Sequence, residues 1–373
     1  MTTRRDFIYK TMLTSAATVA APATVFASGP GITSPLTNEN MLLEKFRPKM
    51  NFGMGGVGAG NGFHVNSDEE IRNTMEAAWN NGVRHFDTSP WYGLGISERR
   101  MGSFLFNKNR EDYILSSKIG RILKPAPDFE KNPGIWKGKL NFDYAYDYSA
   151  EGVRKSVEDT LHRMGLSSLD IVYIHDLSPD NGDMKEDWVK YFEVAQKGAM
   201  PELIKMREEG LIKGWGFGVN TIEPILKAIE VSDPDIFLSA TQYSLMHHKD
   251  ALNKLFPVCE KEDISLMIGA PLNAGFLAGK DRYNYSEGIP DGFLKKREKM
   301  NNIAQNHGVD LRSAALQFSA APKVVASVIP GASKPYQSSA NAKSMSETIP
   351  EDFWKELKSE NLIAQNAPEP QAS

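Results

Sequence analysis

From about residue 51 the chain alternates short apolar runs of strand length with longer stretches of helical period, and the alternation repeats eight times. The apolar runs fall at 51–59, 83–88, 113–118, 169–175, 214–220, 236–243, 265–271 and 324–330. Helical stretches lie between and after them at 67–81, 96–106, 150–164, 201–209, 222–231 and 249–262, as a broken pair over 295–320, and at 335–345. Strands that read as near-continuous apolar runs are buried on both faces, as in a parallel sheet covered by helices. Eight such units in 373 residues predict one closed α/β domain, a (β/α)8 TIM barrel. The competing architecture is a doubly wound open sheet. It would place Gly-x-Gly-x-x-Gly after its first strand and an acidic strand end about 20 residues later. The first turn is rich in glycine, Gly53-Met54-Gly55-Gly56-Val57-Gly58-Ala59-Gly60, but no such acidic residue completes that pattern.

Local signals support the element boundaries. Ser67 with Glu70 forms a capping box, and Gly82 can end the first helix. Val153, Val157, Leu161 and Met164 share one side of the stretch that Gly165 stops. The rhythm breaks over 119–148, where Pro125, Pro127, Pro133 and several aromatics read as a long irregular insertion.

Composition excludes several function classes. A net charge of −4 argues against a nucleic-acid partner, which needs a basic face. The single cysteine, Cys259, leaves no intramolecular disulfide and no cysteine zinc cluster. Beyond the N-terminal region, nothing has the roughly 20 apolar residues of a membrane span. The first residues, Thr3-Arg4-Arg5-Asp6-Phe7-Ile8, precede an Ala- and Thr-rich run that ends Val25-Phe26-Ala27. This order of charge, apolar run and small-residue site resembles a twin-arginine (Tat) signal peptide. It implies the Tat export machinery as a partner and a periplasmic location. The expected organisation is a signal peptide over 1–27, a Gly/Ser/Pro-rich linker over 28–45, the barrel over 46–363 and a C-terminal tail over 364–373.

In a barrel, residues at the C-terminal strand ends face the site. Those positions read Asp87-Thr88-Ser89-Pro90-Trp91-Tyr92, Ser116-Ser117-Lys118, His175-Asp176, Gly218-Val219-Asn220 and Thr241-Gln242-Tyr243. Singly, Asp87 could cap a helix, Tyr92 could pack a loop, Lys118 could be solvated and His175 could be a satisfied core histidine. Together they make a proton-transfer array. A phenol ordinarily titrates near 10. An adjacent lysine ammonium is expected to bring Tyr92 down, a carboxylate to orient that lysine, and a histidine to hydrogen-bond the substrate oxygen.

These residues resemble the aldo-keto reductase family, over roughly residues 46–363. The family's Asp, Tyr, Lys and His tetrad falls on Asp87, Tyr92, Lys118 and His175, with Tyr92 as acid/base. The resemblance implies NAD or NADP as cofactor. Asn220 and Gln242 would hold the nicotinamide carboxamide, and Tyr243 would stack on its ring. The run Ala270-Pro271-Leu272-Asn273-Ala274-Gly275 resembles the pyrophosphate loop, which assigns Leu272 and Gly275. The run Gly331-Ala332-Ser333-Lys334-Pro335-Tyr336-Gln337-Ser338-Ser339-Ala340-Asn341 resembles the phosphate and adenine motif at a helix N-terminus, which assigns Gly331, Ser333, Lys334, Gln337 and Asn341. Val219 replaces the family's usual serine. Ser333 stands where many NADP-binding members have arginine, with Lys334 as the candidate replacement cation; this leans toward NAD or dual use.

The insertion's Phe142-Asp143-Tyr144-Ala145-Tyr146-Asp147-Tyr148 and the pair His175-Asp176 are closest to the D-threo-aldose (L-fucose, L-galactose) dehydrogenase group, so the small-molecule substrate is expected to be a sugar or related aldehyde. Met246-His247-His248 and the loop 283–292 depart from that group. Trp91 and Trp136 are candidate platforms for a sugar face, and Trp136 could instead belong to a packed lid. The alternative function is an exported barrel that binds carbohydrate without turnover. A glycoside hydrolase using Asp87 and Asp176 would leave Tyr92, Lys118 and the 331–341 motif without roles.

Overall fold

Each strand of the barrel is short because the chain needs only a few buried residues to cross it. The computed structural model describes residues 52–129, 134–286 and 288–370; the expected signal peptide and linker lie outside the described residues. The strands are β1 (Gly53–Gly55), β2 (His85–Asp87), β3 (Ile114–Ile119), β4 (Arg121–Pro125), β5 (Phe142–Tyr146), β6 (Ile171–His175), β7 (Gly214–Val219), β8 (Ile236–Ala240), β9 (Ser265–Gly269) and β10 (Val325–Ile329). Eight of them form one parallel sheet in the order β1-β2-β3-β6-β7-β8-β9-β10. Parallel bridges Phe52↔Val328 and Gly55↔Gly331 join its two ends, so the sheet closes as a (β/α)8 barrel. Alternate residues serve two cores. Ile171, Tyr173, Ile236, Leu238, Met267 and Ile329 fill the interior, while Val172, Ile174, Leu266 and Ile268 join the layer beneath the helices.

The outer helices are α1 (Asp68–Asn80), α2 (Ile96–Leu105), α3 (Ala150–Met164), α4 (Trp188–Lys197), α5 (Ala199–Glu208), α6 (Glu223–Val231), α7 (Phe256–Lys261), α8 (Phe293–Asn306), α9 (Leu311–Ala320), α10 (Pro335–Ser344) and α11 (Glu351–Ser359). Ser67 caps α1 by accepting the Glu70 amide at 3.1 Å, and Gly165 ends α3 in the left-handed region at φ 65°. The stretch 249–262 is not one helix. A π-helical turn, Ala251–Leu255, precedes α7, whose Pro257 has no N–H for the regular ladder. The broken pair over 295–320 is α8 and α9, separated at Gly308 with φ 68°.

Three features differ from expectation. The insertion is not wholly irregular, because β4 and β5 pair antiparallel, with Arg121 opposite Tyr146. Its alternating aromatics Phe142, Tyr144 and Tyr146 are the period-2 signal of β5. The strand expected over 236–243 stops at Ala240, because Thr241 takes φ +64° and turns the chain. The segment after Ile363 lies back on the barrel. His248, buried, accepts the Ala364 amide on Nε2 at 3.1 Å and donates from Nδ1 to the Ser244 carbonyl at 2.9 Å.

That histidine has to be neutral to accept the Ala364 amide, and burial lowers its pKa to about 4. The unfolded chain therefore binds the extra proton between about pH 6.5 and 4, and stability falls as pH drops through that window. The expected loss at pH 4 is up to about 3 kcal/mol. Denaturant melts against pH should show that slope in the native protein and a shallower one in His248→Gln.

Candidate active site

Asp87 ends β2, Lys118 lies in β3 and His175 ends β6, so three neighbouring strands deliver them to one end of the barrel. The loop after β2 brings Tyr92 above them. Lys118 Nζ donates to Asp87 Oδ2 at 2.6 Å and to the Thr88 carbonyl at 2.7 Å, and both side chains of the pair are 1% exposed. Ser116 Oγ donates to the other Asp87 oxygen at 2.7 Å. The ammonium sits 4.5 Å from the centre of the Tyr92 ring, and that ring meets the His175 ring edge-on at 5.9 Å. The four residues named from the sequence thus share one pocket. Burial works against charge on both members of the ion pair, raising the Asp87 carboxyl and lowering the Lys118 amine, while their mutual attraction offsets this.

The expected lowering of the Tyr92 phenol does not occur. Burial raises it well above its usual value, and the Asp87 and Asp176 carboxylates add to the effect. The Arg121 guanidinium pulls the other way without reversing the direction. Lys118 is engaged by Asp87 and Thr88, and the phenol stays protonated at neutral pH. His175 is held well below its ordinary pKa, first by burial and then by Arg121 and Lys118, and is neutral.

A cavity of about 560 Å³ opens from this group across the strand ends. Asn220, Leu272, Gly275, Gly331, Ser333, Gln337 and Asn341 line it, as do Trp91 and Trp136. Trp136 is nearly buried and lies against the Tyr92 ring at 5.3 Å, so packing accounts for much of its contact. In the loop after β9, Ala270, Asn273 and Ala274 have φ between 48° and 57°, a left-handed backbone that costs non-glycine residues about 1–2 kcal/mol each. Ala270 and Ala274 sit on the cavity wall. Backbone strain concentrated on a cleft wall is a mark of a functional surface.

One cofactor assignment is corrected, and two other assigned side chains have partners within the protein. Tyr243 is fully buried; its ring stacks on Phe318 at 5.0 Å and meets Phe256 at 4.8 Å, because the turn at Thr241 sends it into the core instead of the cleft. Gln242 braces the backbone next to the cavity, donating from Nε2 to the Asn220 carbonyl at 2.5 Å. Lys334 pairs with Glu70 at 2.5 Å, which engages the candidate replacement cation.

Residues to which the sequence assigned no role in hydride transfer also line the cavity. Asp176, Asp180 and Tyr285 lie on its wall, with Asp180 accepting from Asn220 Nδ2 at 3.0 Å. Lys280, Arg282 and Arg312 also face it. Only Asp176 had a sequence signal, as the neighbour of His175; the others come from loops and helix starts whose placement depends on the assembled barrel. The floor is made of small residues, Gly218, Ala240, Gly269 and Ala270, with the Asn220 amide and an anion-favouring helix start at α10 also on the lining. With the three cations, this donor set fits a dinucleotide and its phosphates.

A model of the aldo/keto reductase family matches residues 49–361. The chain belongs to that family. The reductase is 33% identical over 322 residues to a D-threo-aldose 1-dehydrogenase from a Pseudomonas species, covering 83% of this chain and 94% of that one. It is 32% identical to a pyridoxal 4-dehydrogenase from Microbacterium luteolum, covering 78% and 87%. An aldo-keto reductase from Bacillus halodurans in its holo form superposes with a TM-score of 0.62 at 19% identity, covering 87% and 93%. One from Klebsiella pneumoniae in complex with NADP and acetate gives 0.60 at 18% identity, covering 87% and 95%. The structural likeness shows the fold; the family makes this chain an NAD(P)-dependent oxidoreductase and disfavours a barrel without turnover.

Removing one partner of the buried pair leaves a charge without compensation. Lys118→Met should cost about 3–5 kcal/mol in equilibrium unfolding, and adding Asp87→Asn should restore part of it. Equal losses in the single and double variants would show that the pair is uncoupled.

Proposed function

We propose that the enzyme exchanges a hydride between NAD(P) and the carbonyl or lactol carbon of a sugar or related aldehyde, with Tyr92 as acid/base. The observation that carries this reading is the meeting of the Tyr92 phenol, the Lys118–Asp87 pair and His175 at the head of the cleft. A bound nicotinamide supplies or accepts the hydride. Tyr92, kept protonated by burial, hands its proton to the substrate oxygen in the reductive direction, and the same oxygen returns it in the oxidative one. His175 hydrogen-bonds that oxygen as a neutral imidazole. Lys118 holds positive charge beneath the phenol ring and is kept in place by Asp87. Asn220 and the 270–275 and 331–341 segments would bind the dinucleotide, while Trp91 offers an apolar face to a sugar ring.

The names of two relatives, an aldose dehydrogenase and a pyridoxal dehydrogenase, support an uncharged hydroxyl-rich aldehyde or lactol as substrate. Ser333 in the arginine position, and a Lys334 already paired with Glu70, support NAD or dual use. We also read residues 1–27 as a twin-arginine leader that takes the enzyme to the periplasm. Arg4-Arg5 and the run to Ala27 support this, and the family match begins downstream, at residue 49.

Tyr92→Phe should lower kcat on an aldose or aldehyde panel by about 10²–10⁴-fold. Cofactor binding, followed by fluorescence with NAD and NADP in parallel, should persist. Full turnover in that variant would end the assignment. For the leader, a reporter joined to residues 1–45 should leave the cytoplasm, and changing both Arg4 and Arg5 to Lys should retain it. Equal export of both fusions would overturn the twin-arginine reading.

A further inference from the structure

Arg121 is the first residue of β4, three positions beyond Lys118, and the proposed reaction gives it no role. Gly120, at φ +115°, makes the sharp turn from β3; a Cβ there would lie 2.5 Å from the Tyr148 ring. The turn folds Arg121 back under the barrel mouth, where its side chain is 5% exposed. The guanidinium carbon lies 4.4 Å from the Trp91 ring centre and 5.0 Å from that of Tyr146. Nη1 is 2.8 Å from Asp176 Oδ2 and 3.3 Å from His175 Nδ1. Ser89 Oγ approaches the same His175 nitrogen at 3.2 Å.

A guanidinium has only donors and does not deprotonate in a protein. The ring nitrogen facing it must therefore offer a lone pair. That leaves the imidazole one N–H, on Nε2, which lies 3.3 Å from Asp176 Oδ1. Asp176 is itself held in a strained backbone at φ +48°, with its amide on the Gly218 carbonyl at 3.0 Å and its own carbonyl accepting from Asn181 Nδ2 at 2.8 Å. The caged arginine contacts Nδ1, and the strained aspartate lies beside Nε2 on the other side of the ring.

We propose that Arg121, paired with Asp176, is a positioning residue that locks His175 as the neutral Nε2–H tautomer and so fixes which nitrogen can donate to the substrate oxygen. The inference rests on the reading of His175 given above. The groups that face the ring support it. Arg121 from β4 and Lys118 from β3 both oppose a charge on the imidazole, as does burial; Asp176, with Oδ1 3.3 Å from Nε2, attracts one; Tyr92 is uncharged, and Tyr148 donates to the His175 carbonyl at 3.2 Å. The arginine thus excludes both the imidazolium and the other neutral tautomer, either of which would put a proton on Nδ1.

Ring-nitrogen NMR of the full-length protein, labelled at histidine and assigned with His175→Gln, reads the tautomer without turnover. Native His175 should show a bare Nδ1 and an Nε2–H, and should stay neutral well below pH 6.5. In Arg121→Met its proton affinity should rise at least about tenfold, as expected when a unit charge some 3 Å away is removed. Nδ1 should become protonated in a measurable fraction, and the acid limb of kcat/KM should move up with it. Asp176→Asn removes the attracting charge and keeps the arginine, so the ring should remain Nε2–H and neutral. Arg121→Lys, which keeps the charge and loses the fork, should fall between the native protein and Arg121→Met. An unchanged ring in Arg121→Met, or an Nδ1–H ring in Asp176→Asn, would overturn the lock. A ring that responds as stated while the acid limb stays fixed would uphold the lock and overturn the catalytic role of His175.

Discussion

The site depends on one buried ion pair. Lys118 and Asp87 are both removed from water, and each is tolerable there only because the other is 2.6 Å away and further partners, Thr88 and Ser116, use the remaining hydrogen-bonding capacity. Such a pair adds little net stability compared with apolar residues of the same volume. What it provides is direction. Neighbouring strands β2 and β3 hold the two ends in parallel register, with Asp87 opposite Ser116, so a positive charge is fixed beneath the Tyr92 ring before any ligand arrives.

Low dielectric then sets the protonation state of the two ring side chains above it. Tyr92 is raised and neutral, and His175 is lowered and neutral. Arg121 is the exception, held charged by Asp176 and capped by aromatic faces. A neutral acid, a neutral donor and two caged cations form a site that can deliver one proton without carrying a mobile charge of its own. The basic residues along the cleft wall, Lys280, Arg282 and Arg312, complement this with positive charge suited to the phosphates of a dinucleotide.

The tetrad was legible because strand ends in a parallel barrel are conspicuous: an apolar run stops, and the next polar residue faces the mouth. Asp87 and His175 follow that rule; Lys118 comes after two serines, still inside β3. Tyr243 broke it, because one left-handed residue, Thr241, ended β8 early and reversed the side on which the following residues emerge. Lys334 has a partner that the sequence did not show. Its charge looked free in the sequence, and its partner Glu70 lies 264 residues away on the first outer helix. The insertion hid both a hairpin and the arginine beside His175, since its prolines read as breakers and the strands are only five residues long.

By itself, the sequence determined the barrel, the strand ends and which polar residues gather at its mouth, because burial on two faces and the 3.6-residue helical period are local properties of the chain. Only the tertiary structure decided which nitrogen of His175 bears its hydrogen, that the Tyr92 phenol is raised instead of lowered, and which cations remain available to a cofactor. Those properties arise from desolvation and from charges that meet across dozens to hundreds of residues, and neither exists until the barrel has closed around them.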